Sequence, residues 1–384
     1  MDFYTLNVAF LVTTLVAYFV TQGRSIKLDR IVSGVLFLAF LCLIAFRPTS
    51  VRDTVPYIEA FNMMDSYQFS LGLGRVALGA NMEISFANLL KLVSLFTSSY
   101  QVFFFIVALL TVGISTISIL LISSSMHEGQ AIKYRILPAF LLFVSYYGFL
   151  YTGIVLRAGL ALAFCLLSYA MVFRRRYIFA ILVYLTAFSF HNSVLFFLVI
   201  FFVYFLLPTF TIRTYRIMAL TIIGLYVVRF FDLFQNVILR SASLLASLLP
   251  FFSFFNFYLS GEYLTSSFLL TIVFFMFEIV YLTFCFDDSI SKQYKKNLNA
   301  LLIVSIIAAL FGAFPVIVRV LDVLFIVMIP ALYYTVIGIP SDERISFGKR
   351  LSVRKLPIFV LGIGVISIGN FLLYSRLAGY LAYK

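Results

Sequence analysis

Ionisable side chains are scarce in this sequence, so their positions say most about the chemistry it can do. Charged residues make up 11% of the 384 and hydrophobic ones 63%. A charge beside a long apolar run is costly to desolvate and is retained where it meets a headgroup, a partner or a substrate. Arg157, His191 and Arg319 sit at such places, and Arg47, Arg52 and Asp53 directly follow another apolar run. Guanidinium groups bind phosphate oxygens through a bidentate fork and keep their charge, so arginines gathered in one place suit a substrate bearing phosphate or pyrophosphate. An imidazole titrates near neutrality and can serve as base or as phosphate contact, and a carboxylate can take a proton from an attacking hydroxyl. Simpler roles compete with these. An arginine at a helix end also snorkels to lipid headgroups, His191 also suits a buried hydrogen bond, and Glu83, behind Asn81 as N-cap, would complement a helix dipole. Convergence of the cations is what favours a shared site. Acidic residues on the same side are Asp53, Glu59, Asp65, Glu83 and Glu262, while Arg229 and Asp232 are spaced to pair with each other, and Glu278 and Asp322 fall within apolar runs.

The elements that must position these groups follow from hydropathy. A mean hydropathy of +1.10 is more than a water-soluble domain carries without large exposed apolar patches. In lipid every backbone N–H and C=O must be satisfied within the chain, and apolar runs this long exceed barrel strands. The pattern predicts an all-α fold, a polytopic integral membrane helical bundle forming one membrane-embedded domain over 1–384. Expected spans are Phe3 to Val20, Ile31 to Phe46, Gln101 to Ile122, Ile136 to Phe173 split into a hairpin near Gly153 and Arg157, Tyr177 to Leu207 split around His191, Ile217 to Leu233, Leu264 to Phe286, Leu298 to Phe314, Val320 to Ile337 and Leu356 to Leu373. That is about 12 crossings, most of them near the length that ~30 Å of hydrocarbon requires.

Basic residues collect in alternate connections: Arg24, Lys27 and Arg30; Lys133 and Arg135; Arg174, Arg175 and Arg176; Arg213 and Arg216; Lys292, Lys295 and Lys296; and Arg344, Lys349, Arg350, Arg354 and Lys355. By the positive-inside rule these connections face the cytoplasm, and both termini face outward. The outer side then carries the candidate groups and two long connections, 47–100 and 234–263. Within the first, Ser85, Asn88, Lys91 and Ser94 recur every three residues, which keeps them on one helical stripe. A helix over Ile84 to Phe96 is roughly 20 Å long, too short to cross, so it is expected to lie in the interface or re-enter partway. The second connection, with Leu248, Leu249, Phe251, Phe252, Phe254 and Phe255, is apolar enough to be interfacial too.

Several function classes are excluded. The net charge of +13 is scattered between apolar runs instead of forming one stripe, so no nucleic acid partner is expected. Cys42, Cys165 and Cys285 lack CxxC spacing and read as packing residues. With two histidines and no cysteine pair, no metal site and no cofactor are expected. GxGxxG, P-loop, HExxH and GxSxG elements are absent from the sequence. The first residues, Met1 and Asp2, lack a basic signal-peptide n-region, so the first span is expected to remain in the mature chain.

Phe46-Arg47 followed by Asp53-Thr54, Tyr57 and Phe61, then Glu83-Ile84-Ser85-Phe86, Arg157-Ala158-Gly159-Leu160-Ala161, Phe190-His191-Asn192-Ser193 and a late Arg319 together resemble the EpsG-like branch of Wzy-type polysaccharide polymerases. The resemblance runs from about Phe46 to Pro330. It departs at Ala158, where many relatives have Gln, and at Asn192, where many have Lys. The resemblance implies a metal-independent glycosyltransferase of the bacterial cytoplasmic (inner) membrane, multi-pass, with its site facing the periplasm or exterior. It would polymerise undecaprenyl-pyrophosphate-linked repeat units into O-antigen or related surface polysaccharide, with the lipid bilayer and a chain-length regulator as further partners. In that scheme Arg47, Arg157 and Arg319 hold the pyrophosphate and Arg52 joins them in substrate binding. His191 acts as base or phosphate contact, Asp53 or Glu83 meets the acceptor hydroxyl, and Tyr57 lines the sugar path. The nearest alternative is an O-antigen ligase-like transferase. A lipid-linked oligosaccharide flippase would instead call for charges through the midplane and repeat symmetry, neither of which the sequence displays.

Overall fold

The computed structural model describes residues 3–21, 24–72, 74–78, 80–126, 134–228, 230, 241, 244, 279–284, 290–311, 321, 323–337, 344–346 and 352–354. The chain forms two compact units, Met1–Leu195 with Leu332–Gly338, and Phe196–Ala331 with Ile339–Lys384. In the first unit α1 (Phe3–Thr21) and α2 (Ile26–Ala45) precede a short α3 (Thr54–Asn62) and a hairpin of β1 (Arg75–Leu78) and β2 (Ala80–Glu83). Then come α4 (Ile84–Ser94), α5 (Tyr100–Met126), α6 (Ile136–Phe143), α7 (Leu156–Phe173) and α8 (Tyr177–Phe190). Among the described residues, α2, α5 and α7 are long and apolar enough to cross a membrane, and shorter apolar helices accompany them. Helix ends overshoot the apolar runs because caps, not hydropathy, stop a helix. Thus α2 starts at Ile26, ahead of Ile31, where the Ser25 hydroxyl accepts the Leu28 N–H at 3.3 Å and Asp29 lies in the first turn.

Helix α7 is the centre of the first unit. It packs most extensively against α8 and α5, and 78% of its residues are buried, so protein, not lipid, is its main environment. Ala158, Gly159, Ala161 and Ala163 keep its surface low enough for close neighbours. The reversal expected near Gly153 and Arg157 falls at Val155. Helix α6 runs on through two π turns, Val144–Gly148 and Leu150–Ile154. The Val155 N–H then reaches back to the Leu150 carbonyl at 2.8 Å, and α7 begins one residue later. The returning chain is so close that a Cβ on Gly159 would lie 1.8 Å from the Tyr151 carbonyl oxygen.

Ionic and polar bonds tie the helix ends at the opposite end of this unit. The Asp29 carboxylate accepts the Ile136 N–H at 2.9 Å, capping α6 from α2. Arg135 donates to the Thr21 and Arg24 carbonyls at 2.8 and 2.7 Å, closing the end of α1, and the Tyr333 hydroxyl donates to the Arg135 carbonyl at 2.8 Å. Arg174, just after α7, donates to Ser124 near the end of α5 at 3.0 Å. The basic residues 24, 135 and 174 therefore mark one set of helix ends, and Arg47, Arg157 and His191 the other, as the alternation of charge along the sequence predicts.

In the second unit α9 (Leu198–Leu206) and α10 (Ile212–Val227) both pack on α11 (Lys292–Phe311). The Tyr215 hydroxyl donates to Asn299 Oδ1 at 2.7 Å, and Asn299 Nδ2 to the Pro208 carbonyl at 2.9 Å. Thr211 caps α10, so Arg213 and Arg216 ride on its first turns instead of in a connection. A last apolar helix, α12 (Met328–Ile337), and a small hairpin of β3 (Arg344–Ser346) and β4 (Ser352–Arg354) complete the described elements. The architecture is helical as expected, with two short hairpins that hydropathy did not reveal. Most of the expected span Leu264 to Phe286 and of the 234–263 connection, the span Leu356 to Leu373, and Arg229, Asp232, Glu262, Glu278, Cys285, Arg319 and Asp322 lie outside the described residues.

Replacing Gly159 with Ala forces α7 away from Tyr151 and is expected to lower stability by about 1–3 kcal/mol or more. Thermal unfolding of the detergent-purified variant should show a lowered midpoint, and an unchanged one would mean that the close approach is not maintained in the membrane protein.

Candidate functional site

The hairpin is what presents the central carboxylate. Its register sets Arg75 directly opposite Glu83, and Glu83 also occupies the N-cap position of α4, with φ −67° and ψ 142°. This corrects the expected Asn81 cap, because Asn81 is drawn into β2 opposite Ala77. The Glu83 side chain makes no capping bond. It turns instead toward α7 and the end of α8. Oε2 accepts from Arg157 Nη1 at 2.7 Å, and Oε1 lies 2.9 Å from His191 Nδ1 and 3.4 Å from Arg75 Nη2. The carboxylate side chain is 2% exposed, against 24% for Arg157, 25% for His191 and 47% for Arg75. One buried anion thus serves three partly accessible basic groups.

Physical constraints explain this arrangement. Arg157 is the second residue of α7, where unpaired N–H groups and the helix dipole already concentrate positive charge, so a cation there needs an anion nearby. Burial alone would raise the Glu83 pKa, but the hydrogen bond and charge of His191 and the charge of Arg157 outweigh it and bring it from 4.5 down to about 2. A carboxylate held so firmly ionised is a poor proton acceptor at neutral pH. His191 caps α8 with an extended backbone. With Nδ1 on Glu83, its opposite nitrogen, Nε2, has no bonding partner among the described residues.

Tyr57 and Arg47 form the second layer. Tyr57 on α3 is buried against Phe86, ring centroids 5.6 Å apart. Burial raises its phenol above the usual value while Arg157, which hydrogen-bonds it, and Arg47 pull the other way. Arg47, just past α2, is 95% buried by its 5% exposure. Its Nε donates to Thr54 Oγ1 at 2.9 Å, and its Nη1 to the Thr152 carbonyl at 3.4 Å. Its Cζ lies 3.6 Å from the centre of the Phe104 ring, a cation–π contact. Nη2 has no partner among the described residues. Burial pushes the Arg47 pKa down to about 9, opposed by Tyr57 and Asp53.

The structure therefore joins Tyr57, Glu83, Arg157 and His191 by hydrogen bonds and ion pairs, and Arg47 stands beside them, bonded to Thr54 on the same helix as Tyr57 and acting on Tyr57 through its charge. Arg52 and Asp53 instead pair with each other at 3.4 Å, both partly exposed, with Asp53 in the left-handed region at φ 60°. Asp53 reaches Arg47 and Tyr57 only through its charge. Glu59 and Asp65 are exposed and outside this network, and Arg319 falls outside the described residues. The polar stripe of α4 serves the loop before it. Asn88 binds both the N–H and the C=O of Ser70 and the Tyr67 hydroxyl, and Lys91 donates to the Met64 carbonyl at 2.6 Å. The other face of α4 buries Phe86, Leu90 and Val93 against Phe61, Phe103 and Phe104, which fixes the height of Glu83 over α7. Arg75, Thr54, Thr152 and Phe104 are participants that the sequence did not mark. For Arg75 the available signal was its equal spacing with Glu83 about Gly79, the mark of a tight hairpin.

Removing the Glu83 charge leaves Arg157 without its anion. Discounted for the partial exposure of the cations, Glu83→Gln is expected to cost about 2–3 kcal/mol. A carboxylate with a depressed pKa stabilises the fold above its ordinary pKa of 4.5 and loses that effect as pH falls through about 2. The gap in unfolding temperature between wild type and Glu83→Gln should thus persist down to about pH 4.5 and close toward pH 2. A gap independent of pH over that range would contradict the ion pairs.

Searches of curated proteins and of solved structures returned no match. The EpsG family profile matches residues 30–348, a stretch that contains every group of this network and most of the helices described above. The chain is an integral membrane protein and belongs to the EpsG family, a family of Wzy-like polysaccharide polymerases.

Proposed function

We propose that this protein polymerises undecaprenyl-pyrophosphate-linked oligosaccharide repeat units into a surface polysaccharide on the extracytoplasmic face of the bacterial cytoplasmic membrane. The observation that carries the reading is Arg157, bonded to Tyr57 and Glu83, beside a His191 whose Nδ1 is held by Glu83, with Arg47 acting on Tyr57 through its charge. Polymerisation needs positive charge where pyrophosphate leaves and a base where an acceptor hydroxyl attacks. Cations in excess over the buried carboxylate, including the unpartnered Arg47 Nη2, supply the first. A histidine oriented by a carboxylate that stays ionised supplies the second.

In this reading the acceptor sugar hydroxyl attacks the anomeric carbon of the donor glycan. Its proton passes to His191 Nε2 as the new C–O bond forms. The anomeric C–O bond to pyrophosphate breaks, and the electron pair leaves with the pyrophosphate oxygens, where Arg157 and Arg47 stabilise it. Glu83 orients His191 and Arg157 and is not the base, a shift from the role that the resemblance suggested. Asp53 and Arg52, exposed at the edge, are left to contact the incoming sugars. Arg319 belongs to the pyrophosphate set by resemblance alone.

Complementation of a deletion strain tests this. Arg157→Ala and His191→Ala, each shown to be inserted and folded, should reduce polymerisation by about 10²–10⁴-fold, so that the surface glycan ladder on a gel collapses to a single repeat unit. A full ladder from both variants would dismiss the assignment. Complete polymer stranded on its lipid carrier would point to a ligase, and repeat units accumulating inside to a flippase.

A further inference from the structure

Arg75 is the feature that the proposed mechanism leaves unused. Its guanidinium approaches the same oxygen, Glu83 Oε1, that holds His191 Nδ1, yet at 3.4 Å against 2.9 Å. It is also the most exposed of the three basic partners, at 47%. It stands on a two-stranded hairpin, where no further strand among the described residues fixes its side, whereas Arg157 is anchored by Tyr57 as well as Glu83. The bond from Arg75 is therefore the longest, the wettest and the easiest to exchange of the three. Charge-assisted bonds to phosphate are short and strong when the donor is a guanidinium fork. An anionic group arriving beside Arg157 offers Arg75 a better acceptor than an oxygen it already shares.

We infer that Arg75 is a substrate-responsive positioning residue: it leaves Glu83 for the diphosphate of the lipid-linked donor, and its departure hands Glu83 Oε1 to His191 alone. The inference rests on the diphosphate reading above. Donor binding and preparation of the base are then one event. While the donor is absent, Arg75 competes for the carboxylate that orients the imidazole. Once the donor is bound, that competition ends, and His191 is held by an undivided anion. Glu83 stays buried in both states and Arg157 keeps its bond to Oε2, so the exchange needs only a side-chain rotation at the hairpin edge. Its chemistry does not depend on which sugars the donor carries, since the group recognised is the diphosphate itself.

The test uses the full chain in lipid nanodiscs, with inorganic pyrophosphate as the binding probe and lipid-linked donor for turnover. Arg75→Gln should weaken pyrophosphate binding about tenfold, and Arg75→Lys, which keeps the charge without the fork, about threefold. In turnover, Arg75→Gln should raise the KM for donor by a similar factor while kcat falls by less than about threefold, a split that a merely structural defect would not produce. Wild-type pyrophosphate binding by Arg75→Gln, alongside loss of binding in Arg157→Ala, would overturn the role of Arg75 and leave the diphosphate site standing. Absence of pyrophosphate binding by the wild-type protein would instead overturn the site, and this inference with it. Should Arg75→Gln fail to insert, Arg75→Lys decides alone, since binding equal to wild type rules the exchange out.

Discussion

A cation at the start of a buried helix is opposed by desolvation and again by the helix dipole, and Arg157 can stand there because Glu83 reaches it at 2.7 Å. That one ion pair makes the other features necessary. It requires a carboxylate to arrive from outside the helical bundle, which the β1–β2 hairpin and the N-cap position of α4 provide. It requires α7 to begin at a fixed depth, which the Val155 reversal and the Gly159–Tyr151 contact provide. Breaking such a pair by removing one partner costs about 3–5 kcal/mol when both are buried. The partial exposure of Arg157 lowers that figure and at the same time leaves the guanidinium open to a ligand. Stability and availability are thus set by the same geometry.

The aromatic floor beneath the site has a complementary task. Phe86, Phe103 and Phe61 pack with ring centroids 5.8 Å apart, and Phe104 lies under Arg47. Rings can sit beneath a guanidinium without neutralising it, since the attraction comes from the quadrupole and leaves the net charge unchanged. Arg47 is therefore held in an apolar surrounding by Thr54, a backbone carbonyl and a ring, and among the described residues no carboxylate is bonded to it, Asp53 acting on it only through its charge. Glu83 and Phe104 represent two ways of keeping arginines in place, one that offsets charge and one that preserves it.

How much of this was legible from residues alone varies with the force responsible. Lipid imposes long apolar runs, so α1, α2 and α5 were readable to within a few residues, and a glycine followed by an arginine in an unbroken run marked the reversal before α7. Arg47, Glu83, Arg157 and His191 were picked out because charge near lipid is conspicuous, and Tyr57 by the family resemblance alone. Arg75 was not, since it lies in a polar connection where arginine is unremarkable and its importance comes from strand register. The Asn81 cap was misjudged because capping preference was weighed without the competing hairpin, which takes Asn81 into a strand. The α4 stripe was correctly seen as one face, but its partner, the 64–70 loop, lies close in sequence and offers backbone carbonyls that leave no mark in side-chain pattern.

The two π turns between α6 and Val155 also govern how the segment can be compared along its length. Each accommodates one residue more than an α turn, and one residue corresponds to about 100° of rotation about the axis. Side chains before Val144 and those of Leu150–Ile154 therefore belong to different angular frames, although the helix is continuous up to the reversal at Val155. A helical wheel drawn at ordinary pitch through the whole stretch would misplace the neighbours of each residue, in a segment that is buried on nearly every side. Deleting a single residue from the first of the two turns would restore ordinary pitch there and, in doing so, swing the rest of the segment up to Ile154 by about 100°, more than a quarter turn.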